Sequence, residues 1–195
     1  MNAELAGWLH RALIPALWAG WAAYWWLSAR DVKATARHEP VLSRWLHLGP
    51  LLIAAALLGT HRLPPSWLTG RFVPRGAWVF AAGALLTAGG LAFAIWARRH
   101  IGRNWSAIVT LKQGHELVTS GPYALVRHPI YTGLLFAFAG TALAVGQWRG
   151  LVAMAIVLAS LWRKLRLEER WMRERFGAAY DDYARRVKAL VPFVF

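Results

Sequence analysis

The chain has 195 residues, a formal net charge of +14 at neutral pH and no cysteine, while 57% of its residues are hydrophobic and 13 are tryptophan. This length fits one domain, and the hydrophobic share exceeds what a soluble domain of this size usually carries. The lack of cysteine excludes disulfides, thiolate metal ligands and a cysteine nucleophile within this chain.

Five apolar segments approach the ~20 residues that a helix needs to cross about 30 Å of hydrocarbon. We expect one membrane-spanning helix in each of the ranges 12–28, 41–59, 76–97, 129–146 and 150–162. Eight tryptophans lie near segment ends, as in the aromatic belts of membrane interfaces. The pattern predicts an all-α integral membrane protein with about five transmembrane helices in a single domain (1–195), in which 1–97 is scaffold. Because several segments are short, the buried core of a soluble protein is the alternative.

The basic residues are distributed unevenly between the connections of these segments. If the N-terminus lies outside, 18 of the 23 lysines and arginines fall on one side, in the first connection, the third connection and the C-terminal tail. Such clustering argues against a nucleic-acid surface, and the positive-inside rule assigns that side to the cytoplasm. The Ala-, Arg- and Trp-rich composition is typical of a bacterial chain. We therefore expect a multi-pass protein of the bacterial inner membrane whose basic face attracts anionic membrane lipids.

The connection 98–128 is the longest polar stretch between apolar segments. Within it, apolar and β-branched residues in 107–111 and 116–119 flank a glycine-containing tetrapeptide at 112–115. This pattern predicts a short β-hairpin before the fourth helix, with an irregular loop as the alternative. Either structure would lie at the bilayer surface, where water can satisfy its backbone.

The segment 121–133 concentrates polar and aromatic residues directly before the fourth apolar segment. Its Pro129 suits the first turn of that helix, where a missing N–H costs nothing. Small residues then recur along one face of the helix and permit close approach of another helix: Gly133, Ala137, Gly140 and Ala144.

The fifth apolar segment continues into a charged stretch, which predicts a C-terminal cytoplasmic helical extension. We expect this helix to stop at Gly177, because glycine tolerates the left-handed conformation that ends many helices. A short amphipathic helix would follow, with Tyr180, Tyr183 and Val187 on one face. It would lie on the membrane interface or fold back over the loop before the fourth helix.

Three motifs follow one another in the second half: His115-x-Leu-Val-x-x-Gly-Pro-Tyr, Arg127-His-Pro-x-Tyr-x-Gly133 and Glu168…Phe176-Gly-x-x-Tyr-x-x-Tyr. This half resembles the isoprenylcysteine carboxyl methyltransferase family, and the Glu168–Glu169 pair resembles the acidic pair of the related phospholipid N-methyltransferases. The resemblance implies an integral membrane methyltransferase that uses S-adenosylmethionine, with 98–195 as its cofactor-binding catalytic half. Its substrate would be an isoprenylcysteine-like carboxylate or a related lipid, entering from the bilayer and methylated at the cytoplasmic face.

The resemblance also assigns roles to individual residues. Cofactor binding would fall to residues spread over the three motifs: His115, Leu117, Val118, Gly121, Tyr123, His128, Pro129, Tyr131, Gly133, Glu168 and Glu169. Catalysis would fall to Arg127, Tyr180 and Arg186. No metal is implied, and the remaining histidines show no spacing typical of metal ligands.

The chemistry of S-adenosylmethionine matches these residue types. Arg127 or His128 would bind its carboxylate, and Glu168 or Glu169 would pair with its ammonium. The tyrosines of the first two motifs would line the adenine or face the sulfonium, since aromatic rings attract cations. The motif glycines would permit close backbone approach.

The chemical class of the methyl acceptor decides which further residue is needed. A carboxylate is already ionised at neutral pH and needs only a cation to hold it, for which Arg186 is the candidate. An amine would need a proton acceptor such as Glu168, Tyr180 or His115.

Simpler interpretations compete with these assignments. Arg127 could anchor its helix at the lipid headgroups, Arg186 could be one more cytoplasmic charge, and Glu169 could pair with Arg173 one turn along the helix. For the whole chain, the alternatives are an NADPH-dependent membrane reductase similar to the sterol reductases and a non-enzymatic scaffold. Because two adjacent glutamates would repel the phosphates of NADPH, we favour the methyltransferase.

Overall fold

The computed structural model describes residues 3–30, 35–38, 41–60, 66–105, 110–112 and 117–192. In chain order these ranges contain α1 (Ala3–Ser28), β1 (Thr35–His38), α2 (Val41–Gly59), α3 (Ala77–Ile101), β2 (Thr110–Lys112), α4 (Pro122–Leu125), α5 (Pro129–Val145), α6 (Trp148–Phe176) and α7 (Ala178–Arg186). Short 3-10 helices lie at Ser66–Thr69 and Gly102–Asn104.

Each predicted apolar segment coincides with one of the long helices α1, α2, α3, α5 and α6, so the expected helices are confirmed. By length and composition, α2 and α3 could cross a membrane, and α5 is a shorter apolar helix; this holds for the described part of the chain. The number of five spans and the side on which each terminus lies therefore stay predictions.

A glycine seam joins α3 to α5, where glycines of each helix lie against the backbone of the other. A Cβ added to Gly90 would lie 2.5 Å from the backbone nitrogen of Ala137, and one added to Gly133 would lie 2.5 Å from the carbonyl oxygen of Gly90. Gly140 faces Thr87 equally closely. The two backbones are therefore in direct contact, and the predicted small-residue face of the fourth apolar segment is confirmed.

A polar seam joins α2 to α6 by side-chain hydrogen bonds. The Arg163 guanidinium donates to the hydroxyl and the carbonyl oxygen of Ser43, at 2.8 and 3.2 Å. One turn deeper, the Nδ1 atom of His47 lies 3.0 Å from the Ser160 hydroxyl. At the far end, the buried Arg149 donates to carbonyl oxygens in the last turn of α2. Unlike the glycine seam, this interface is specified by polar groups.

The prediction of a hairpin within the connection 98–128 is wrong, because the strand in this connection pairs with a strand outside it. Strand β2 pairs antiparallel with β1, which comes from the first connection, and His38 lies opposite Thr110. Residues 117–119, which the sequence placed in the second strand, form no strand, and 113–116 lie outside the described residues. The sequence pattern located a strand but could not show a pairing with a segment some 70 residues earlier.

The C-terminal extension follows the expected path. Helix α6 ends at Gly177, which has a φ of +52°, and α7 begins directly after it. The Tyr183 hydroxyl donates to the carbonyl oxygen of Tyr123 at 2.6 Å, and both Tyr180 and Tyr183 are buried. Of the two arrangements considered, α7 thus adopts the one that folds back over the loop before α5.

Candidate active site

The entry to α5 is held by the segment that follows α7. The backbone N–H groups of Arg127 and His128 donate to the carbonyl oxygens of Lys188 and Ala189, at 2.8 and 3.0 Å. The Thr132 hydroxyl donates to the carbonyl oxygen of Leu190 at 2.8 Å. Two pieces of chain that lie about 60 residues apart are thereby fixed together at one end of the bundle.

At this end, four charged or ionisable residues form a charged cluster: Arg127, His128, Glu168 and Glu169. The guanidinium of Arg127 donates to Oε1 of Glu169 through Nε (2.8 Å) and Nη2 (2.5 Å). Its Nη1 donates to the carbonyl oxygens of Val187 (2.5 Å) and Ala184 (3.2 Å). Arg127 therefore ties α6 to the segment after α7, and its hydrogen-bonding capacity is largely used.

His128 lies between the two carboxylates of the cluster. Its Nε2 atom is 3.3 Å from Oε1 of Glu169, and its Nδ1 atom is 3.6 Å from Oε2 of Glu168. Burial by itself would lower the pKa of His128, but hydrogen bonds to both carboxylates and their negative charges raise it above its usual value. The imidazole therefore favours the protonated form and links both glutamates.

The two glutamates differ in their access to solvent. The side chain of Glu169 is 8% exposed and that of Glu168 is 25% exposed. Burial opposes ionisation of Glu169, yet hydrogen bonds from His128 and Arg127 lower its pKa to about 2. Arg173 adds a further contact at 3.4 Å. The carboxylate of Glu169 is thus occupied by contacts with other side chains of the protein. One of them is Arg173, the i,i+4 partner considered from the sequence.

Glu168 is held differently. The Tyr131 hydroxyl donates to its Oε1 atom at 2.5 Å. Burial opposes ionisation, but the hydrogen bond to His128, the positive charge of Lys164 and the Tyr131 hydroxyl keep the pKa of Glu168 below its usual value. The rings of Tyr131 and His128 stack in parallel, with centroids 5.4 Å apart and an interplanar angle of 2°. Glu168 is consequently an ionised, accessible carboxylate beside a flat aromatic surface.

The loop before α5 is anchored by His100, which the sequence did not assign. Gly121 has a φ of +58°, and a Cβ on it would lie 2.6 Å from Cε1 of the His100 ring. That ring stacks on Tyr123 with centroids 6.3 Å apart, and its Nε2 atom lies 2.9 Å from the Ser120 hydroxyl. Gly121 is thus needed here to make room for a histidine.

Lys164 is the second residue that sequence reasoning missed. It is 6% exposed, and its Nζ atom lies 5.5 Å from the centroid of the Tyr131 ring. The sequence did indicate that Lys164 lies near the site, because Lys164 precedes Glu168 by four residues and so shares its helix face.

Residues 78–179, slightly more than half of the chain, match the family model described as phospholipid methyltransferase. The chain belongs to the phospholipid methyltransferase family. The match runs from α3 into α7 and includes the whole charged cluster.

Curated proteins are also similar to this chain. Protein-S-isoprenylcysteine O-methyltransferase B of Arabidopsis thaliana is 34% identical over 99 residues, which cover 48% of this chain and 49% of that protein. Cobalt-zinc-cadmium resistance protein CzcN of Cupriavidus metallidurans is 32% identical over 150 residues, or 76% of this chain and 62% of that protein. The chain spans about half the length of the isoprenylcysteine relative. The predicted resemblance to isoprenylcysteine carboxyl methyltransferases is confirmed.

A solved structure shows the same fold. It is a eukaryotic intramembrane Ras methyltransferase, isoprenylcysteine carboxyl methyltransferase, with a TM-score of 0.52 and 24% identity, covering 78% of this chain and 52% of that chain. At this identity the likeness concerns the fold alone. It supports a helical membrane architecture for this member of the phospholipid methyltransferase family.

Several predicted residues lie away from the charged cluster of this family member. Arg186 is exposed, and its Nε atom donates only weakly, at 3.4 Å, to the carbonyl oxygen of Asp182. Gly133 faces α3 in the glycine seam. Pro129 is buried in the first turn of α5, as expected for its position.

Three further predicted residues precede α4. Leu117 and Val118 are half-buried, and Val118 packs against the hydrophobic core. His115 lies outside the described residues. Within the ranges that the structure describes, no group of three or more His, Asp or Glu side chains is placed to hold a metal ion.

Proposed function

We propose that this protein is an integral membrane methyltransferase that uses S-adenosylmethionine and acts on a lipophilic substrate, an isoprenylcysteine-like carboxylate or a related lipid. One observation carries the proposal: Glu168, an accessible ionised carboxylate, lies against the stacked rings of His128 and Tyr131 at the end of an apolar helix bundle. The family membership and the names of the isoprenylcysteine relatives support the reaction type.

The chemistry of this residue set fits the cofactor. Glu168 is one quarter exposed, so its carboxylate can accept a further charged hydrogen bond from an ammonium group. The Tyr131 ring, which stacks on His128, offers an aromatic surface for the base or the sulfonium. We assign the ammonium to Glu168, because Glu169 already has three partners on the protein.

The chain's own contribution to the reaction is positioning and electrostatics. When bound, the cofactor supplies an electrophilic methyl group on a sulfonium. Glu168 would fix the amino-acid end, and the Tyr131 ring would lie beside the positive centre. Arg127 acts as a positioning residue, since it holds Glu169 and the segment after α7 together. No residue needs to change its covalent state.

Two residues considered for catalysis fit other roles better. Burial and the charge of Glu169 raise the pKa of Tyr180, so its phenol stays protonated near neutral pH and is a poor proton acceptor. Arg186 lies outside the charged cluster, exposed to solvent. A carboxylate substrate therefore has a better cation in Lys164, which is buried beside Tyr131.

The charge distribution supports a particular orientation in the membrane. We infer that the charged cluster lies at the cytoplasmic face, with the N-terminus outside, because the connections at that end hold most of the lysines and arginines. A bacterial inner membrane fits the composition. Anionic lipids would gather at this basic face, and the substrate would enter sideways from the bilayer.

Ligand-induced stabilisation of the purified full chain in detergent tests the proposal. S-adenosylhomocysteine, the demethylated product, should raise the unfolding temperature in a concentration-dependent way, and NADPH should not. Stabilisation by NADPH alone would favour the reductase hypothesis, and stabilisation by neither would contradict a cofactor site in the charged cluster.

A further inference from the structure

A cavity of about 440 Å³ lies where the connection before α3 meets the first turn of α3 and the last turn of α5. We call it the arginine cavity, because two arginines line it beside apolar side chains: Arg71, Arg75, Val79, Phe80 and Ala144. Pockets that hold small molecules have volumes of about 300 to 1,000 Å³, so its size suits a ligand. Since α5 begins at the charged cluster, the cavity lies at the opposite end of the bundle, about 36 Å away along α3.

The guanidinium of Arg71 is held in position at this cavity. Its Nε atom donates to the carbonyl oxygen of Val73 at 3.0 Å, and its Nη1 atom donates to that of Val145 at 3.2 Å. Within the described ranges no hydrogen bond joins Nη2 to another residue, so its two N–H groups can donate to a group from outside the chain. Because the side chain is already ordered, binding through Nη2 costs little conformational entropy.

The positive charge at this end has no carboxylate near it in the sequence. The two connections that meet here, 60–76 and 146–147, contain no aspartate or glutamate. The Arg75 side chain is exposed, and no hydrogen bond or ion pair joins it to another described residue. An anion in the cavity would be attracted by both guanidinium groups. Arginine binds phosphate through paired hydrogen bonds, so the arginine cavity favours a phosphate group.

The surroundings of the cavity indicate that this phosphate belongs to a lipid. Three tryptophans at the same end of the bundle are exposed: Trp67, Trp78 and Trp148. Exposed tryptophans of membrane proteins lie at the level of the lipid headgroups, which places the headgroup phosphates beside the arginines. The arginines come from the connection, whereas Val79 and Phe80 come from the helix that follows it. A phospholipid presents its phosphate and its acyl chains in the same order, and a free phosphate ion would gain nothing from the apolar part.

We propose that the arginine cavity binds an anionic phospholipid, with Arg71 and Arg75 holding its phosphate and an acyl chain lying along Val79 and Phe80. Basic pockets between membrane helices bind anionic headgroups in this way. The lipid would connect the segment before α3 with the last turn of α5, at the end of the glycine seam. The inference rests on the membrane location given in the proposed function, but neither the cofactor nor the reaction enters it.

Two phospholipids with the same acyl chains test this assignment. Dioleoyl phosphatidylglycerol carries a net negative charge, whereas dioleoyl phosphatidylcholine adds an ammonium group that the arginines would repel. Thermal-shift titration of the delipidated full chain in non-ionic detergent gives an apparent dissociation constant for each lipid. Phosphatidylglycerol should bind about tenfold more tightly. Equal binding of the two lipids would overturn the proposal, and so would equal stabilisation by inorganic phosphate at the same concentration.

Variants locate the effect, because basic residues at the other end of the bundle also attract anionic lipids. Arg75→Gln should unfold at the wild-type temperature without lipid, since Arg75 is exposed, and should weaken phosphatidylglycerol binding about fivefold. Arg75→Lys keeps the charge and should retain part of the affinity. The matched control is Arg99→Gln, which removes an exposed arginine in the last turn of α3 and should leave the affinity nearly unchanged. Equal weakening by the two glutamine variants would mean general attraction by positive charge and would overturn the site.

S-adenosylhomocysteine separates this inference from the proposed function. It should stabilise the wild-type protein and Arg75→Gln equally, because the arginine cavity and the charged cluster lie at opposite ends of the bundle. If this stabilisation were absent while the lipid preference and its dependence on Arg75 remained, the cofactor proposal alone would be contradicted. If the stabilisation were present but the wild-type protein showed no lipid preference, the lipid site alone would be refuted.

Discussion

Helix α5 is held in two contrasting ways along its length. Its body lies in the glycine seam, where a Cβ added to one of the glycines would collide with the facing backbone. Its N-terminal end lies in the charged cluster, where a guanidinium, an imidazole and two carboxylates are joined by hydrogen bonds. The seam is specified by shape and the cluster by charge.

This difference teaches how a membrane protein of this size can hold an accessible carboxylate in place. The seam fixes the position of α5 by van der Waals contact, which depends on neither pH nor salt. The cluster can then remain polar and partly open to solvent, because the position of α5 does not depend on the cluster alone. Substitutions in the glycine seam and in the charged cluster should therefore change the stability of the protein in different ways.

The largest effect is expected from Arg127→Ala in the charged cluster. It leaves Glu169 buried without its main partner and releases the segment after α7. The loss of a buried ion pair costs about 3 to 5 kcal/mol, which corresponds to a fall of about 10 °C in unfolding temperature. The matched control is Arg173→Ala, which removes an exposed partner of the same carboxylate and should cost less than about 1 kcal/mol. Equal effects of the two variants would show that Arg127 does not organise the cluster.

The next effect belongs to the glycine seam. In Gly90→Ala the new Cβ would lie 2.5 Å from backbone atoms of Ala137 and Gly133, so the helices must separate. We expect a loss of up to about 3 kcal/mol, seen as a lower unfolding temperature in detergent. Gly89→Ala changes the neighbouring residue, whose Cβ would meet nothing within 4 Å, and should be neutral or slightly stabilising. If both variants behaved alike, the close contact between α3 and α5 would be refuted.

A smaller effect is expected where the cluster meets the loop before α5. Gly121→Ala places a Cβ against the His100 ring and also strains a residue with a φ of +58°. His100→Ala in the same chain removes the steric part but not the strain. The double-mutant cycle of unfolding free energies should therefore show a favourable coupling of about 1 kcal/mol. Strict additivity would mean that the ring does not rest on Gly121.

The smallest effect is a pH dependence that only the charged cluster should show. The pKa of Glu169 is lowered to about 2 in the folded protein, so its stabilising contribution is complete above about pH 4.5 and is lost as the pH falls towards 2. The pKa of His128 is raised, so its contribution is complete below about pH 6.5 and is lost as the pH rises through the folded value. Unfolding temperature should therefore decline at both ends of a pH series. Glu169→Gln should flatten the acid side and His128→Gln the alkaline side, whereas Gly90→Ala should lower the whole curve without changing its shape.

Much of the fold could be predicted because it depends on local patterns. The range 41–59 was expected to be helical and matches α2 at both ends, and Gly177 ends α6 as foreseen. The small-residue face could be predicted because helix geometry places residues three and four positions apart on the same side. Each of these features depends on residues that lie within a few helical turns of one another.

The remainder depends on contacts between distant segments. Strand β2 pairs with β1 in the first connection, and no local sequence pattern indicates this pairing. Arg127 was expected to hold the cofactor or a lipid headgroup, yet it is paired with Glu169, because the sequence shows a cation but not which carboxylate meets it. His47 was left unassigned for the same reason: its partner Ser160 lies 113 residues away.

The central claim is that Glu168 binds the ammonium group of the cofactor at the end of the bundle. Isothermal titration of S-adenosylhomocysteine into the purified protein tests it, with Glu168→Gln compared with Glu174→Gln, an exposed glutamate on the same helix. Removing one charge-assisted hydrogen bond should weaken binding by about tenfold or more in Glu168→Gln and leave it unchanged in Glu174→Gln. Undiminished affinity in a folded Glu168→Gln variant would contradict the account.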